Sequence, residues 1–285
     1  MISSPDNPKV RAARALLRRK GRQQAGQCLA EGVQLIADAM RAGIMPALIF
    51  FLASARQSPR VAALLERAAQ AGVPTWELSP TLFGTLSDTT TSQGVIAVLP
   101  IPAPEPPANP NLILILDQVR DPGNVGTILR SAEAAGVDLV LLMAGCADVW
   151  SPKVLRAGMG AHFRLPLRAG VTGDELARWL GDRPLWLADP RGELSYDQID
   201  WCVPCAVALG GETEGFSSQV ETLGRGRVAI PMAGGAESLN VAMAATVLLF
   251  EAARQRREAA ILGRLGGRQA GRRASSPSVP GHIIV

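Results

Sequence analysis

Three short stretches of this sequence set glycine beside side chains that can do chemistry. "DPGNVGTILRSAEAAG" (121–136) carries Asn124 and Arg130, "ALGGETEGFS" (208–217) carries Glu212, and "IPMAGGAESLNVAMAA" (230–245) carries Ser238 and Asn240. Amides and hydroxyls donate and accept hydrogen bonds, a carboxylate accepts, and a guanidinium offers five donors with a fixed positive charge. Such a set can hold a polar substrate, stabilise developing negative charge and pass on a proton. Each stretch alone has a plainer reading. Gly123 and Gly126 give only G-x-x-G, without the third glycine of a dinucleotide turn or the lysine of a Walker loop, so a tight strand-to-helix connection accounts for them. Solvated acids account for the second stretch, and helix capping by Ser238 or Asn240 for the third. All three, however, leave the end of an apolar run, and ligands of open parallel sheets sit beyond the carboxyl ends of strands.

The elements that must position these groups follow from hydrophobic periodicity. "IPAPEPPANP" (101–110) is too rich in proline for helix or central strand and reads as a linker between residues 1–100 and 111–260. Ahead of it, Asn7 and Pro8 cap a basic helix running to about Lys20. Strands "QCLAEG", "ALIFFLA", "PTWEL" and "QGVIAVL" then alternate with helices "VQLIADAMRAG" and "SPRVAALLERAAQAG", a small α/β domain. Beyond the linker the spacing predicts strand 111–119, helix 124–135, strand "DLVLLM", helix "SPKVLRAGMGA", strand "FRLPL", helix 172–181, strand "PLWLAD" and strand "CAVALGG". A loop with a short helix over 213–223, strand "GRVAIPM" and helix 239–257 complete it. That is an α/β domain with a parallel sheet covered by helices on both faces. Residues 261–285, rich in Gly, Arg, Ser and Pro, read as a disordered basic tail.

Composition narrows the classes. A chain of 285 residues, 47% apolar, can bury two cores. No run approaches the roughly 18 apolar residues of a membrane span, so no membrane insertion is expected. Four cysteines do not make a disulfide scaffold, and the chain reads as cytoplasmic, although its Arg-rich, acid-poor start also suits an organelle transit segment. "CVPC" with Cys202 and Cys205 lacks suitably spaced companions among Cys28, Cys146, His162 and His282, so no metal site is expected. Net charge is +4, and residues 9–22 hold Lys9, Arg11, Arg14, Arg18, Arg19, Lys20 and Arg22 without one acid. That density suits several nucleic-acid phosphates, while a solvated helix face reads equally well. Aromatics at 4% supply no stacking platform; Trp150 and Phe216 lie near the loops, with core packing their default use.

In order and separation, the three stretches closely resemble the motifs of the SpoU (TrmH-like) RNA ribose 2'-O-methyltransferases, over about residues 111–257. "NPKV" and "CLAEGVQLI" resemble the L30e-like substrate-binding domain often attached to them. The resemblance implies a SPOUT-type fold with a C-terminal trefoil knot, S-adenosylmethionine as methyl donor, and a homodimer with active sites at its interface. It implies an RNA substrate, ribosomal before transfer RNA; the charge density above makes Lys9, Arg11, Arg14, Arg18, Arg19 and Lys20 the expected RNA contacts. It implies catalytic roles for Asn124, Arg130, Glu212, Ser238 and Asn240, and a cofactor pocket of Leu209, Gly210, Gly211, Ile230, Met232, Ser238 and Leu239. The family assigns its motif arginine as general base. A charged guanidinium has no acceptor, so Arg130 is expected instead to grip the phosphate beside the target ribose and to stabilise the alkoxide. A non-catalytic RNA-binding ribosome-assembly factor remains the alternative; a dinucleotide oxidoreductase lacks its third glycine and its ribose-binding acid.

Overall fold

A computed structural model describes residues 1–273 apart from Thr213 and Ala236, with side chains as far as Leu262. Asn7 accepts the Lys9 amide and Pro8 fills the first turn of α1 (Pro8–Ala15). The expected single basic helix is instead two, because the chain turns after Ala15 and restarts as α2 (Arg19–Ala25). The break seats α2 against the end of α1, where a Cβ on Gly21 would lie 2.7 Å from the Ala15 carbonyl carbon.

Then follow β1 (Gln27–Glu31), α3 (Val33–Arg41), β2 (Leu48–Phe51), α4 (Pro59–Gln70), β3 (Thr75–Glu77), α5 (Pro80–Gly84) and β4 (Val95–Pro100). They build a four-stranded sheet of order β1-β4-β2-β3, with β4 antiparallel to both neighbours. Alternate residues face opposite sides: Cys28, Ala30, Ile49 and Ala97 pack on α3 and α4, while Leu29, Phe50, Ile96 and Val98 pack on α1 and α5. The five-residue α5 went unforeseen because one turn carries no periodic signal.

After residues 101–110, which hold no helix or strand, come β5 (Leu112–Leu116), α6 (Pro122–Ala135), β6 (Leu139–Met143), α7 (Pro152–Ala157), β7 (Leu167–Val171), α8 (Gly173–Leu180), β8 (Leu185–Ala188), β9 (Leu194–Ser195), β10 (Cys205–Leu209), α9 (Ser218–Leu223), β11 (Gly226–Ala229) and α10 (Val241–Arg273). The seven strands run in order β7-β6-β5-β10-β8-β11-β9 and every pairing is parallel, as the unbroken apolar runs predict. β5, β6 and β10 are buried at every residue.

Three expectations are corrected. The strand placed on "FRLPL" lies at Leu167–Val171, because Phe163 is drawn into the first domain's core and residues 161–163 form a 3-10 turn. The two-residue β9 is an addition. The last helix does not end near 257 but runs to Arg273, so the start of the expected tail is helical; residues 274–285 lie outside the described residues.

The two domains meet over buried groups. Arg22, counted with the phosphate-binding cations, is turned inward: it pairs with Asp148 and donates to the Leu16 carbonyl at 2.6 Å. Arg156 of α7 pairs with Asp88 and reaches towards Glu31, whose Oε1 accepts from Ser87, Thr89 and Ser92. His162 is fully buried here, its ring 5.5 Å from that of Trp150. Burial pushes its pKa from 6.5 down to about 4. The unfolded chain takes up this proton before the native one does, so stability is untouched above the ordinary value and is lost as pH falls towards the depressed one. The full loss is about 3 kcal/mol. Urea denaturation across this window should show that slope in the native protein, and His162→Phe should flatten it.

Candidate active site

The parallel ladder ends β5 and β10 at one level, Leu116 opposite Leu209, so their loops start side by side. Asp117, fully buried, continues the pairing by donating its amide to the Leu209 carbonyl at 2.9 Å, and its Oδ2 accepts the Ser217 amide at 2.6 Å. One carboxylate thereby closes the second loop onto the first. Within the second loop Gly211 and Gly215 exchange two backbone hydrogen bonds of 3.0 Å. A side chain at Gly210 could not fit, since its Cβ would lie 2.8 Å from the Gly215 oxygen.

Each candidate amide sits at a helix start. Asp121 caps α6 by accepting the Asn124 amide at 2.8 Å, which fixes Asn124 in the first turn. Asn240, not Ser238, caps α10: its Oδ1 accepts the Ala242 amide at 2.9 Å. These placements bring three distant residues into contact. Asn124 Nδ2 donates to Glu212 Oε1 at 3.0 Å, and Asn240 Nδ2 donates to Asn124 Oδ1 at 3.1 Å and to Glu212 Oε1 at 3.3 Å. Helix capping and site geometry are thus the work of the same side chain at Asn240.

Two adjoining cavities flank this cluster. The larger, about 480 Å³, is lined by all seven residues expected around a cofactor, Leu209, Gly210, Gly211, Ile230, Met232, Ser238 and Leu239. The smaller, about 130 Å³, is lined by Gln118, Arg120, Asp121 and Asn124, and it shares Gly211, Glu212, Glu214 and Val241 with the larger. Beyond β8 the larger cavity gains Asp189 and Arg191, and Arg227, which pairs with Asp189 and with Glu221 at 2.7 Å. Sequence reasoning missed Asp189, although "PLWLAD" ends a parallel strand as the three motifs do, and that signal could have found it. It also missed Asp117, Gln118, Arg120 and Glu214.

Not every candidate joins the cluster. Arg130 lies six residues beyond Asn124 on α6, about 120° round the helix. It is exposed and lines neither cavity, and its side chain has no hydrogen bond or ion pair among the described residues. In the first domain Arg11, Arg18, Arg19 and Lys20 are exposed, Arg14 donates to Thr85 at 3.1 Å, and the Lys9 ammonium lies 4.7 Å from the centre of the Trp76 ring. Trp150 packs at the domain junction, while Phe216 lines the larger cavity. Cys205 is buried and Cys202 exposed, and among the described residues no three His, Cys, Asp or Glu side chains cluster for a metal.

A parallel α/β domain with its clefts beyond the carboxyl edge of the sheet, joined to a small mixed-sheet domain, is the architecture of solved RNA methyltransferases. The SpoU methyltransferase AviRb from Streptomyces viridochromogenes, in complex with AdoMet, superposes with a TM-score of 0.77 at 30% identity, covering 88% of this chain and 100% of that one. Among curated proteins, the mitochondrial rRNA methyltransferase 3 of Mus musculus is 35% identical over 301 residues, covering 83% of this chain and 69% of its own length. A 23S rRNA (guanosine-2'-O)-methyltransferase of Bacillus subtilis is 32% identical over 253 residues, 87% of this chain and 97% of that protein. Residues 111–250 match the SpoU rRNA Methylase family and residues 7–97 an MRM3-like substrate binding domain. The chain belongs to the SpoU rRNA methylase family.

Truncating the α10 cap separates the two candidates for it. Asn240→Ala should cost about 1 kcal/mol of stability in denaturant titration, and Ser238→Ala should leave stability within error.

Proposed function

We propose that this protein transfers a methyl group from S-adenosylmethionine to a ribose 2'-hydroxyl of ribosomal RNA, as a homodimer. The observation that carries the reading is the meeting of Asn124, Glu212 and Asn240 at the seam between a nucleoside-sized cleft and a smaller polar pocket. The AdoMet complex of AviRb and the rRNA methyltransferase names of the relatives support it.

The larger cleft fits such a donor by its donor set. Leu209, Ile230 and Leu239 offer apolar walls for a purine, backbone at Gly210 and Gly211 offers hydrogen bonds, and the carboxylates of Asp189, Glu212 and Glu214 suit hydroxyls and a cationic ligand. When bound, the cofactor supplies a methyl group on a sulfonium, which needs no metal to make it electrophilic. The chain's own task is alignment, which can lower a barrier by up to about 7–11 kcal/mol. Asn124, braced by Glu212 and Asn240, is placed to orient the ribose hydroxyl. Ser238 on the cleft wall orients the loop before α10.

Arg130 acts across a subunit interface in this reading. Its exposure fits that role, as does the packing of α6 on α10, where Met243 (62%) and Phe250 (48%) leave an apolar face in solvent. From the second copy the guanidinium grips the phosphate beside the ribose and stabilises the alkoxide. Residues 1–100 hold the RNA through the exposed cations of α1 and α2, and residues 111–260 carry the chemistry. A trefoil knot in the C-terminal half belongs to the same reading, supported by the late strands β10 and β11 lying on either side of β8. Four free cysteines suit the reducing cytoplasm. Among the described residues no helix is long and apolar enough to cross a membrane.

Arg130→Ala should abolish methyl incorporation into unmodified ribosomal RNA and leave S-adenosylmethionine affinity near wild type in calorimetry. Loss of cofactor affinity instead would contradict this division of labour.

A further inference from the structure

The smaller cavity has a charge problem. Three of its lining residues, Asp121, Glu212 and Glu214, are acids, a wall that repels a polyanion. Among the described residues Arg120 is the one cation that lines it, and it comes from the same chain as Asn124 and Glu212. Its guanidinium donates to Glu214 Oε2 at 2.6 Å and to Gln118 Oε1 at 3.1 Å. Gln118 is braced for this: its amide donates to the Ala144 carbonyl at 3.4 Å, and its backbone holds a left-handed φ of 58°, uncommon outside glycine. The Arg120 side chain nonetheless stays 62% exposed and that of Glu214 51%. An ion pair so open to water contributes little to stability. A phosphodiester offers two oxygens much as a carboxylate does, and guanidinium binds either in the same forked geometry. Arg120 meets Glu214 through one nitrogen and one carboxylate oxygen only, so exchanging Glu214 for a phosphate gives up one weak single-point pair and leaves the guanidinium fork free to meet two phosphate oxygens.

We propose that Arg120 is the phosphate ligand of this pocket, taking an RNA phosphodiester next to the target ribose, and that Glu214 is the internal anion it leaves to do so. The assignment rests on the methyltransferase reading above and gives the strand an anchor within the chain that binds it, opposite the Arg130 of a second copy.

Binding of a short mixed-sequence single-stranded RNA to the full chain, titrated over a range of salt, tests it. Arg120→Ala should weaken binding about tenfold and reduce the log–log salt slope by about 0.7, the share of one phosphate on a single strand. Arg120→Lys should recover part of the affinity. Glu214→Gln removes the competitor and should tighten binding about threefold. A pair that merely shapes the loop would move Arg120→Ala and Glu214→Gln in the same direction, and that result overturns the proposal; so does Arg120→Ala binding like wild type. Wild-type cofactor binding and methyl transfer separate the two levels: their absence sinks the methyltransferase reading, whereas their presence with an unaltered Arg120→Ala sinks this assignment alone.

Discussion

The parallel pairing of β5 with β10 is the constraint on which the site depends. Five residues of each strand lie in register, from Leu112 opposite Cys205 to Leu116 opposite Leu209, although about ninety residues of chain separate them. Because both strands are buried at every position, a slip would expose leucines and isoleucines of β5 or leave backbone groups unpaired in the core. Both strands therefore leave the sheet at one height, and buried Asp117 can hold the Leu209 carbonyl and the Ser217 amide at once. The meeting of Asn124 with Glu212 is a consequence of that register before it is a property of either residue.

A second constraint fixes the substrate-binding domain against the site. Burying the charge of Arg22 is costly without a partner, and Asp148 and the Leu16 carbonyl supply one. Such pairs add little net stability over a packed apolar contact, but losing one partner strands the other. Together with the hydroxyls gathered on Glu31 and with Leu155 and Phe163 inserted into the first core, they hold α1 and α2 at a defined bearing to the cleft. The cost falls on the sequence reading, because a cation that looks free for phosphate is spent on the junction.

Much of the site was legible for a simple reason. Glycine, asparagine and acid at the ends of apolar runs mark loops that rise from a parallel sheet, so Asn124, Glu212 and Asn240 could be named without coordinates, whereas the seven residues expected around a cofactor, all on the wall of the larger cleft, came from the family resemblance. What was not legible is which of two neighbours does a job. Ser238 and Asn240 both suit a cap, and only the actual start of α10 at Val241 selects Asn240. Arg120 and Asp117 read as mere interruptions of an apolar run, because nothing local reveals a partner at Glu214 or Ser217, about a hundred residues on.

By itself the sequence determined the alternation of strand and helix, the two cores, the strand ends that carry chemistry and the motifs that place the chain in its family. The first three are set by periodicity and local backbone preference, which act within a few residues, while the family rests on the likeness of the motifs to those of known members. Tertiary structure alone decided the strand order, the inward turn of Arg22 and the meeting of Asn124 with Glu212 and Asn240. Each of these depends on contacts between segments far apart in the chain, and the free energy of such contacts belongs to the packed pair, not to either stretch that forms it.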